Sequence, residues 1–301
     1  MRILIDTDPG LGKKSADIDD ALALFLILNN PEIFEVEGIT TVFGNTPVKT
    51  GYKLLQEYLE LVEKEDIPHR LGAKSKKELG QVNEASQLLI EKVKNNPDEL
   101  ILLTLGPLTN IATAYLHYPS FFDDLKKIVF MGGTINPTEA FSERFQIIED
   151  FFKTEFNFYQ DAEATKILIE KPTMTPRIGM GLDICCKTIF KQHHLKRIEQ
   201  SEKPIPNFIL DDLKYWLNLW QYNKSKGFYP FDCFVPIYLM HPEMFNFINI
   251  SLKVDTEEIP GRLIKINDNP AQKDSIRYCM DFKKEEYAEK FVQILIDNLI
   301  E

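Results

Sequence analysis

Acidic side chains are concentrated near the start of the chain. Five aspartates fall within fifteen residues around a predicted strand-to-helix turn, namely Asp6, Asp8, Asp17, Asp19 and Asp20. Like charges this close together cost free energy unless a cation or strong hydrogen-bond donors compensate them. Carboxylate oxygens suit a hard cation, and Ca²⁺ accepts about six to eight oxygen ligands, including backbone carbonyls and water. Asp8 and Asp20 together indicate a metal site, because helix capping does not explain a carboxylate at the end of a strand.

Helix capping is the alternative explanation for part of this cluster. Asp17 and Asp19 would suit a helix N-terminus whether or not anything binds there, because free backbone N–H groups and the helix dipole both favour a carboxylate at that position. For Asp17 we favour the capping role.

The elements that must position these residues are apolar strands that alternate with amphipathic helices. The predicted strands are residues 2–7, 34–42, 99–105, 127–131 and 177–182, with a late β element between 248 and 278. The predicted helices are residues 17–29, 50–64, 83–94, 108–116, 161–170 and 285–300, and further helical segments cover residues 190–220. This alternation predicts an α/β fold with an open, mostly parallel sheet and helices on both faces. Because no Pro/Gly/Ser linker interrupts the chain, we expect residues 1–301 to form a single domain.

Polar and turn-forming residues follow the predicted strands at their carboxyl ends. These are Asp8-Pro9-Gly10, Gly44-Asn45, Gly106-Pro107, Gly132-Gly133 and Asp183. In open α/β sheets, ligands bind beyond the carboxyl ends of the strands. The pattern therefore predicts a functional site at this edge of the sheet.

Composition narrows the class of ligand. The formal net charge of -11 and the pI of about 5.1 disfavour nucleic-acid backbones and acidic membranes, so a small-molecule substrate is expected. A charged, turn-forming stretch begins within ten residues of the N-terminus, so no signal-peptide core is expected there, and no apolar run approaches the length of a membrane span. The four cysteines include an adjacent pair and no CxxC spacing, which indicates reduced thiols in a cytoplasmic protein and disfavours zinc.

Several motifs in chain order resemble one enzyme family. Asp6-Thr7-Asp8-Pro9-Gly10, completed by Asp19-Asp20-Ala21, resembles the N-terminal signature of the inosine–uridine-type nucleoside hydrolase family. The resemblance continues through Gly44-Asn45, Leu105-Gly106-Pro107-Leu108-Thr109-Asn110, Met131-Gly132-Gly133, Glu155-Phe156-Asn157, Gly181-Leu182-Asp183 and Asp232. It spans about three quarters of the chain, and the order of the blocks makes it far more specific than any one of them.

The resemblance implies hydrolysis of the N-glycosidic bond of ribonucleosides to free base and ribose, with Ca²⁺ as cofactor. Asp8 would act both as a metal ligand and as the general base that activates a water molecule. The implied metal ligands are Asp8, Asp20, the backbone carbonyl of Leu105, and Asp232. The implied ribose contacts are Asp19, Asn45, Met131, Glu155 and Asn157. By analogy with the family, a homo-oligomer, either a dimer or a tetramer, is expected.

The implied chemistry suits these residue types. Cleavage of the bond between ribose and base develops oxocarbenium character on the sugar, which anionic and hydrogen-bonding groups stabilise. Ca²⁺ lowers the pKa of water less than Zn²⁺ does, so a nearby carboxylate base such as Asp8 is needed.

Structural roles are the alternatives for several of these residues. Asn45 and Asn157 could stabilise turns, Glu155 could be an ordinary surface carboxylate, and Met131 could belong to the core. Thr109-Asn110 is expected to begin a helix and to touch no substrate.

One departure from the family pattern concerns the leaving base. Many members have a histidine directly before the last aspartate as proton donor, and this chain has Phe231 there. Aromatic residues that could stack on a heterocycle lie just upstream, and Trp216 and Trp220 could equally be core or a subunit contact. Phe231 leaves open one alternative function, a nucleoside-binding homologue with impaired catalysis. A second alternative is a haloacid dehalogenase-type phosphatase, which also opens with Asp-x-Asp at the end of a first strand, but the early Asp19-Asp20 and the late Asp232 fit it poorly.

Two further departures from the family pattern are an insertion and a substitution. Residues 11–18 separate Gly10 from Asp19, where the commoner pattern has one residue, and this insertion could form a flap or only bulge into solvent. Between Gly133 and Glu155, Ile148-Glu149 stands in place of the usual Gly-Asn pair, so the contact of that asparagine with the 5′-hydroxyl is unsupported.

Overall fold

A computed structural model describes residues 1–10, 13, 16–136, 154–200, 207–222, 225–267 and 270–300. The strands are β1 Arg2–Thr7, β2 Glu35–Thr41, β3 His69–Leu71, β4 Ile101–Thr104, β5 Lys127–Met131, β6 Arg177–Met180, β7 Phe245–Asp255, β8 Arg262–Asn267 and β9 Ile276–Phe282. The α-helices are α1 Asp19–Leu28, α2 Val48–Leu61, α3 Glu84–Asn95, α4 Thr109–His117, α5 Phe156–Gln160, α6 Ala162–Glu170, α7 Leu182–Cys185, α8 Gln192–Glu199, α9 Asn207–Tyr222, α10 Phe234–Met240 and α11 Tyr287–Ile300. Short 3₁₀ turns cover Lys76–Glu78, Pro242–Met244 and Gln272–Asp274.

Within the described residues, these strands form one sheet in the order β3-β2-β1-β4-β5-β6-β9-β7-β8. Every pair from β3 to β9 in that order is parallel, whereas β7 runs antiparallel to both β9 and β8. The carboxyl ends of the parallel strands therefore meet at one edge of the sheet.

The core lies on both faces of the sheet. Successive side chains of a strand point to opposite faces, so Ile3 and Ile5 of β1 join one hydrophobic cluster while Leu4 joins the other. Helix α1 is buried along its whole length and packs against α10 and α11. The prediction of an open, mostly parallel α/β sheet covered on both faces is confirmed.

Most predicted elements are present with ends shifted by one to four residues. The strands at residues 2–7 and 127–131 have the predicted bounds. The helix predicted from residue 17 begins at Asp19, with Ile18 as its N-cap and no side-chain cap. Asp17 lies just before this N-cap, and its Oδ1 accepts from the N–H groups of Ile18 at 2.7 Å and Asp19 at 3.3 Å. Strand β3 was not predicted, and the late β element consists of three strands.

Some predicted features lie outside the described residues. They are residues 11, 12, 14 and 15 of the insertion and the segment 137–153, which contains Ile148-Glu149. In the described part of the chain, no helix has both the length and the apolar composition that crossing a membrane requires.

Candidate active site

The predicted site residues converge at the carboxyl edge of the sheet. Asp8 follows β1, Asn45 lies beyond β2, Leu105 follows β4 and Met131 ends β5. These four strands are neighbours in the sheet. Short helices supply the remaining groups: α1 begins with Asp19-Asp20, α5 carries Asn157, and Asp232 lies two residues before α10.

Three buried carboxylates form a compact group. One oxygen from each of Asp19, Asp20 and Asp232 lies within 4.8 Å of the others. Asp20 and Asp232 were predicted as metal ligands, whereas Asp19 was predicted to contact ribose. The structure therefore brings a third carboxylate beside the two predicted ligands.

Asp8 adjoins this group and has a free oxygen. Its Oδ2 accepts a hydrogen bond from the N–H of Asn45 at 2.6 Å, while its own N–H donates to Asp20 Oδ1 at 3.3 Å. Its Oδ1 is buried and, among the described residues, has no hydrogen-bond partner. A Cβ on Gly44 would lie 1.8 Å from Oδ2, and a Cβ on Gly106 would lie 2.7 Å from Oδ1. The two glycines thus leave room for this carboxylate. A cation could coordinate its oxygen that has no hydrogen-bond partner.

Asn45 connects two of the predicted metal ligands. Its backbone N–H binds Asp8, and its Nδ2 donates to Asp20 Oδ2 at 2.8 Å. The other oxygen of Asp20 accepts from the hydroxyl of Thr7. The side chain of Asn45 therefore lies in the carboxylate cluster. The resemblance predicts that this residue contacts the ribose.

Asp19 connects the N-terminal part of the site with the segment around Asp232. Its Oδ2 accepts from the N–H of Asp232 at 3.1 Å, and its Oδ1 accepts from the N–H of Asp20 at 3.1 Å. The thiol of Cys233 donates to the backbone carbonyl of Asp19 at 3.9 Å. Sequence reasoning missed Cys233, and only its position directly after Asp232 could have drawn attention to it.

Burial and mutual repulsion oppose ionisation of the cluster. Burial, followed by the charge of Asp19, raises the pKa of Asp20 to about 7. Burial and then neighbouring carboxylates also raise the pKa values of Asp8, Asp19 and Asp232 well above the ordinary range for aspartate. A divalent cation would reverse this effect by stabilising the ionised forms. Charge and donor type therefore both fit a hard metal ion.

The predicted ribose side is connected by hydrogen bonds. Asn157 Nδ2 donates to the carbonyl of Leu105 at 2.8 Å and lies 3.4 Å from the carbonyl of Met131. Met131 belongs to the hydrophobic core, and its sulfur is 3.6 Å from Asn157 Nδ2. Asn157 thus lies against the carbonyl predicted as a metal ligand.

Glu155 has a structural role at the start of α5. Its Oε1 accepts from the N–H of Asn157 at 2.6 Å, and its Oε2 accepts from the N–H groups of Gly133 at 3.0 Å and Phe158 at 3.1 Å. It is the N-cap of the helix and is buried, which excludes the ordinary surface role. Burial raises its pKa to about 7.

A series of contacts between aromatic rings begins at Phe231, the residue before Asp232. Phe231 is half-buried and lies 5.7 Å from the ring of Tyr229, which makes an edge contact with Trp220 at 5.4 Å. Trp216 lies 6.5 Å from Trp220, and both pack against the core.

The five histidines contact residues other than the carboxylates of the candidate site. These contacts are His69 with Ile67, His117 with Gly80, His193 and His194 with Glu289, and His241 with Glu243.

The sequence of this chain matches the model of one protein family, and the fold and the order of the motifs agree with that match. A model of the inosine-uridine preferring nucleoside hydrolases matches residues 3–289 of this chain. The chain belongs to that family. It is a hydrolase that cleaves the N-glycosidic bond of small-molecule ribonucleosides, which confirms the predicted activity and disfavours the phosphatase alternative.

Known proteins resemble the hydrolase over nearly their full lengths. A probable uridine nucleosidase 1 of Oryza sativa subsp. japonica is 27% identical over 287 residues, which cover 86% of this chain and 82% of the relative. The pyrimidine-specific ribonucleoside hydrolase RihA of Salmonella choleraesuis is 28% identical over 291 residues, which cover 85% of each.

Solved structures share the fold of the hydrolase. A plant nucleoside hydrolase, the PpNRh1 enzyme, superposes with a TM-score of 0.81 at 21% identity and covers 99% of this chain and 98% of that one. A purine-preferring ribonucleoside hydrolase from Gardnerella vaginalis gives a TM-score of 0.81 at 20% identity, with 99% of each chain covered. At these identities the likeness supports the fold alone.

Proposed function

We propose that the hydrolase uses Ca²⁺ held by the carboxylates of Asp8, Asp20 and Asp232 and by the backbone carbonyl of Leu105. The observation that carries this proposal is the buried Oδ1 of Asp8, which lacks a partner among the described residues beside a group of carboxylates. The proposed ligand atoms are all oxygens, as hard cations such as Ca²⁺ prefer.

Asp8 is proposed as the general base. When bound, Ca²⁺ would polarise the attacking water and orient the ribose hydroxyls. Asp8 Oδ2 is held by the N–H of Asn45, so the carboxylate is fixed in orientation, and Oδ1 has no hydrogen-bond partner within the described part of the chain. We assign to the Asp8 carboxylate the proton that the attacking water loses.

The ribose is proposed to contact Asp19, Asn45, Met131, Glu155 and Asn157. Anionic groups around the sugar stabilise the positive charge that develops on it as the bond to the base breaks. Oε2 of Glu155 accepts two backbone hydrogen bonds and Oε1 accepts one, so the proposed sugar contact uses the remaining lone pair on Oε1.

Pyrimidine ribonucleosides, with uridine first, are the proposed substrates. Two relatives of the hydrolase carry names that specify uridine and pyrimidine nucleosides. Phe231 supplies no proton to the leaving base, so hydrolysis is expected to depend strongly on how readily the base departs. We further propose nucleoside catabolism or salvage in the cytoplasm, carried out by a dimer or tetramer.

A nucleoside panel with detection of free ribose tests the proposal. We expect release of ribose from uridine in the presence of Ca²⁺, loss of release on chelation, and loss of at least about a hundredfold in kcat for Asp8→Ala. Asp161→Asn is the matched control, because Asp161 is a buried carboxylate that caps α6, contacts Thr109 and is not one of the grouped carboxylates. It should retain activity.

Three results would count against the proposal. Nucleoside binding without ribose release would favour the binding homologue. Full activity after exhaustive chelation would remove the metal from the reaction. An Asp8→Ala chain with wild-type kcat would exclude Asp8 as the base.

A further inference from the structure

Asp183 is a buried carboxylate that the proposed reaction does not use. It lies in the first turn of α7, directly beyond β6, and is 4% exposed. Its Oδ2 accepts from the N–H of Ile135 and its Oδ1 from the N–H of Asn136, both at 2.8 Å. One side chain thus holds two consecutive amides of the segment that follows β5.

The same segment is held at further points by residues around β6. The N–H of Leu182 donates to the carbonyl of Gly133 at 2.9 Å, and the N–H of Gly132 donates to Met180 at 3.2 Å. Gly133 has a φ of +78°, a conformation that L side chains rarely adopt. The turn at residues 132–136 is therefore fixed by the junction between β6 and α7.

This turn is connected to the ribose side of the site. The N–H of Gly133 donates to Glu155, which accepts from the N–H of Asn157 through its other oxygen. Asn157 in turn donates through its side chain to the carbonyl of Leu105. A continuous series of hydrogen bonds and short backbone segments therefore runs from Asp183 to the proposed metal ligand.

We propose that Asp183 is a positioning residue that fixes the turn at residues 132–136 and, through Glu155, holds Asn157 in the ribose site. This inference rests on the proposed role of Asn157 at the ribose. An aspartate suits the position, because two amides need two acceptor oxygens and charge-assisted bonds are stronger than neutral ones. Asparagine would retain one acceptor and place an NH₂ group against the other amide.

The test compares Asp183→Ala and Asp183→Asn with Arg177→Met. Arg177 lies at the opposite end of β6, is fully buried, and holds five backbone carbonyls at the end of α6 and near Lys273. Its loss should destabilise the same strand without disturbing the turn. Each chain is assayed for uridine hydrolysis in Ca²⁺, for ribose affinity by calorimetry, and for melting temperature.

We expect Asp183→Ala to lower kcat/KM by about 10- to 100-fold, because small misplacements of binding groups cost rates of that order. Ribose affinity should weaken in parallel, and Asp183→Asn should recover part of both. Arg177→Met should lower the melting temperature while kcat/KM stays within about twofold of the wild type. If Asp183→Ala does not fold, the nearly isosteric Asp183→Asn carries the comparison.

Wild-type kcat/KM and ribose affinity in a folded Asp183 variant would overturn the inference. So would equal losses of kcat/KM in the Asp183 and Arg177 variants, because that result would indicate a general effect of stability. A wild-type chain that releases no ribose would instead refute the proposed function, and the ribose affinities of the variants would still test Asp183.

Discussion

Asp6 offers a test of how burial controls ionisation beneath the site. Its side chain is fully buried, and its Oδ1 accepts from the hydroxyl of Thr40 and from Asn110 Nδ2. Its Oδ2 has no hydrogen-bond partner among the described residues. Burial raises its pKa from 3.8 to about 7. Asp6→Asn retains the accepting oxygen and removes the ionisable group.

The sign and size of the effect follow from proton linkage. Well below pH 3.8, Asp6 is protonated in both the folded and the unfolded chain and has no effect on the pH dependence. Between pH 4 and about 7 the unfolded chain ionises first, so the wild type loses stability as the pH rises. Above about 7 the loss is constant at about 4 kcal/mol, since each pKa unit corresponds to about 1.36 kcal/mol.

Denaturant unfolding in a chelating buffer at several pH values measures this effect. The free energy of unfolding of Asp6→Asn minus that of the wild type should rise by about 4 kcal/mol between pH 4 and 8 and then level off. Burying the new NH₂ group adds a roughly constant cost of about 1–3 kcal/mol, which displaces the curve without changing its slope.

Asp255→Asn is the control of opposite sign. The N–H of Glu257 is the largest influence that lowers the pKa of Asp255, and Arg262 also binds the carboxylate. A lowered pKa gives stability that is present above the unfolded value and lost as the pH falls, so this variant should lose relative stability as the pH rises. A flat or falling difference for Asp6→Asn would refute the reasoning.

Three other predictions concern buried polar contacts, the metal and the leaving base. Asn110→Ala should lower the free energy of unfolding by about 3 kcal/mol or more in denaturant titrations, because it leaves the N–H of Ala73 and the carbonyl of Thr41 without their partner. Ca²⁺ should raise the melting temperature of the wild type steadily with the logarithm of the free Ca²⁺ concentration above the Kd, by an amount equivalent to about 2.7 kcal/mol at a hundred times the Kd, and Asp20→Asn should largely abolish this response in thermal scans. Phe231→His should raise kcat for uridine by about tenfold or more, because it places a proton donor beside Asp232, and should leave kcat for p-nitrophenyl riboside unchanged, because that leaving group needs no proton.

Each of these predictions has a clear opposing result. Wild-type stability of Asn110→Ala would show that its hydrogen bonds contribute little. An undiminished Ca²⁺ response in Asp20→Asn would place the ion elsewhere. Equal effects of Phe231→His on both substrates would mean that the histidine acts on the ribose side or on the fold.

The fold was predictable where burial leaves a pattern in the sequence. Strands of a parallel sheet that are covered on both faces read as continuous apolar runs, as in Arg2–Thr7 and Lys127–Met131. His69–Leu71 is only three residues long and none of them is fully buried, so it shows no period. The placement of β9 between β6 and β7 depends on pairing between distant segments, which a local pattern does not encode.

The sequence predicted which residues gather at the candidate site better than it predicted the hydrogen bonds between them. The motifs named the residues that gather at the carboxyl edge of the sheet. They did not distinguish a sugar contact from a helix cap at Glu155, whose oxygens accept from three backbone amides. They also gave no sign that Asp19 accepts from the N–H of Asp232, a contact between residues 213 positions apart.

That long-range contact between Asp19 and Asp232 has a consequence for folding kinetics. A partly folded chain that has ordered only β1 and α1 contains Asp8 and Asp20 but lacks Asp232. If the ion needs all of these carboxylates, it binds the native chain far more tightly than any early intermediate. Stabilisation confined to the native state slows unfolding and leaves the folding rate almost unchanged. Calcium would then prolong the lifetime of the folded enzyme without helping the chain to reach it.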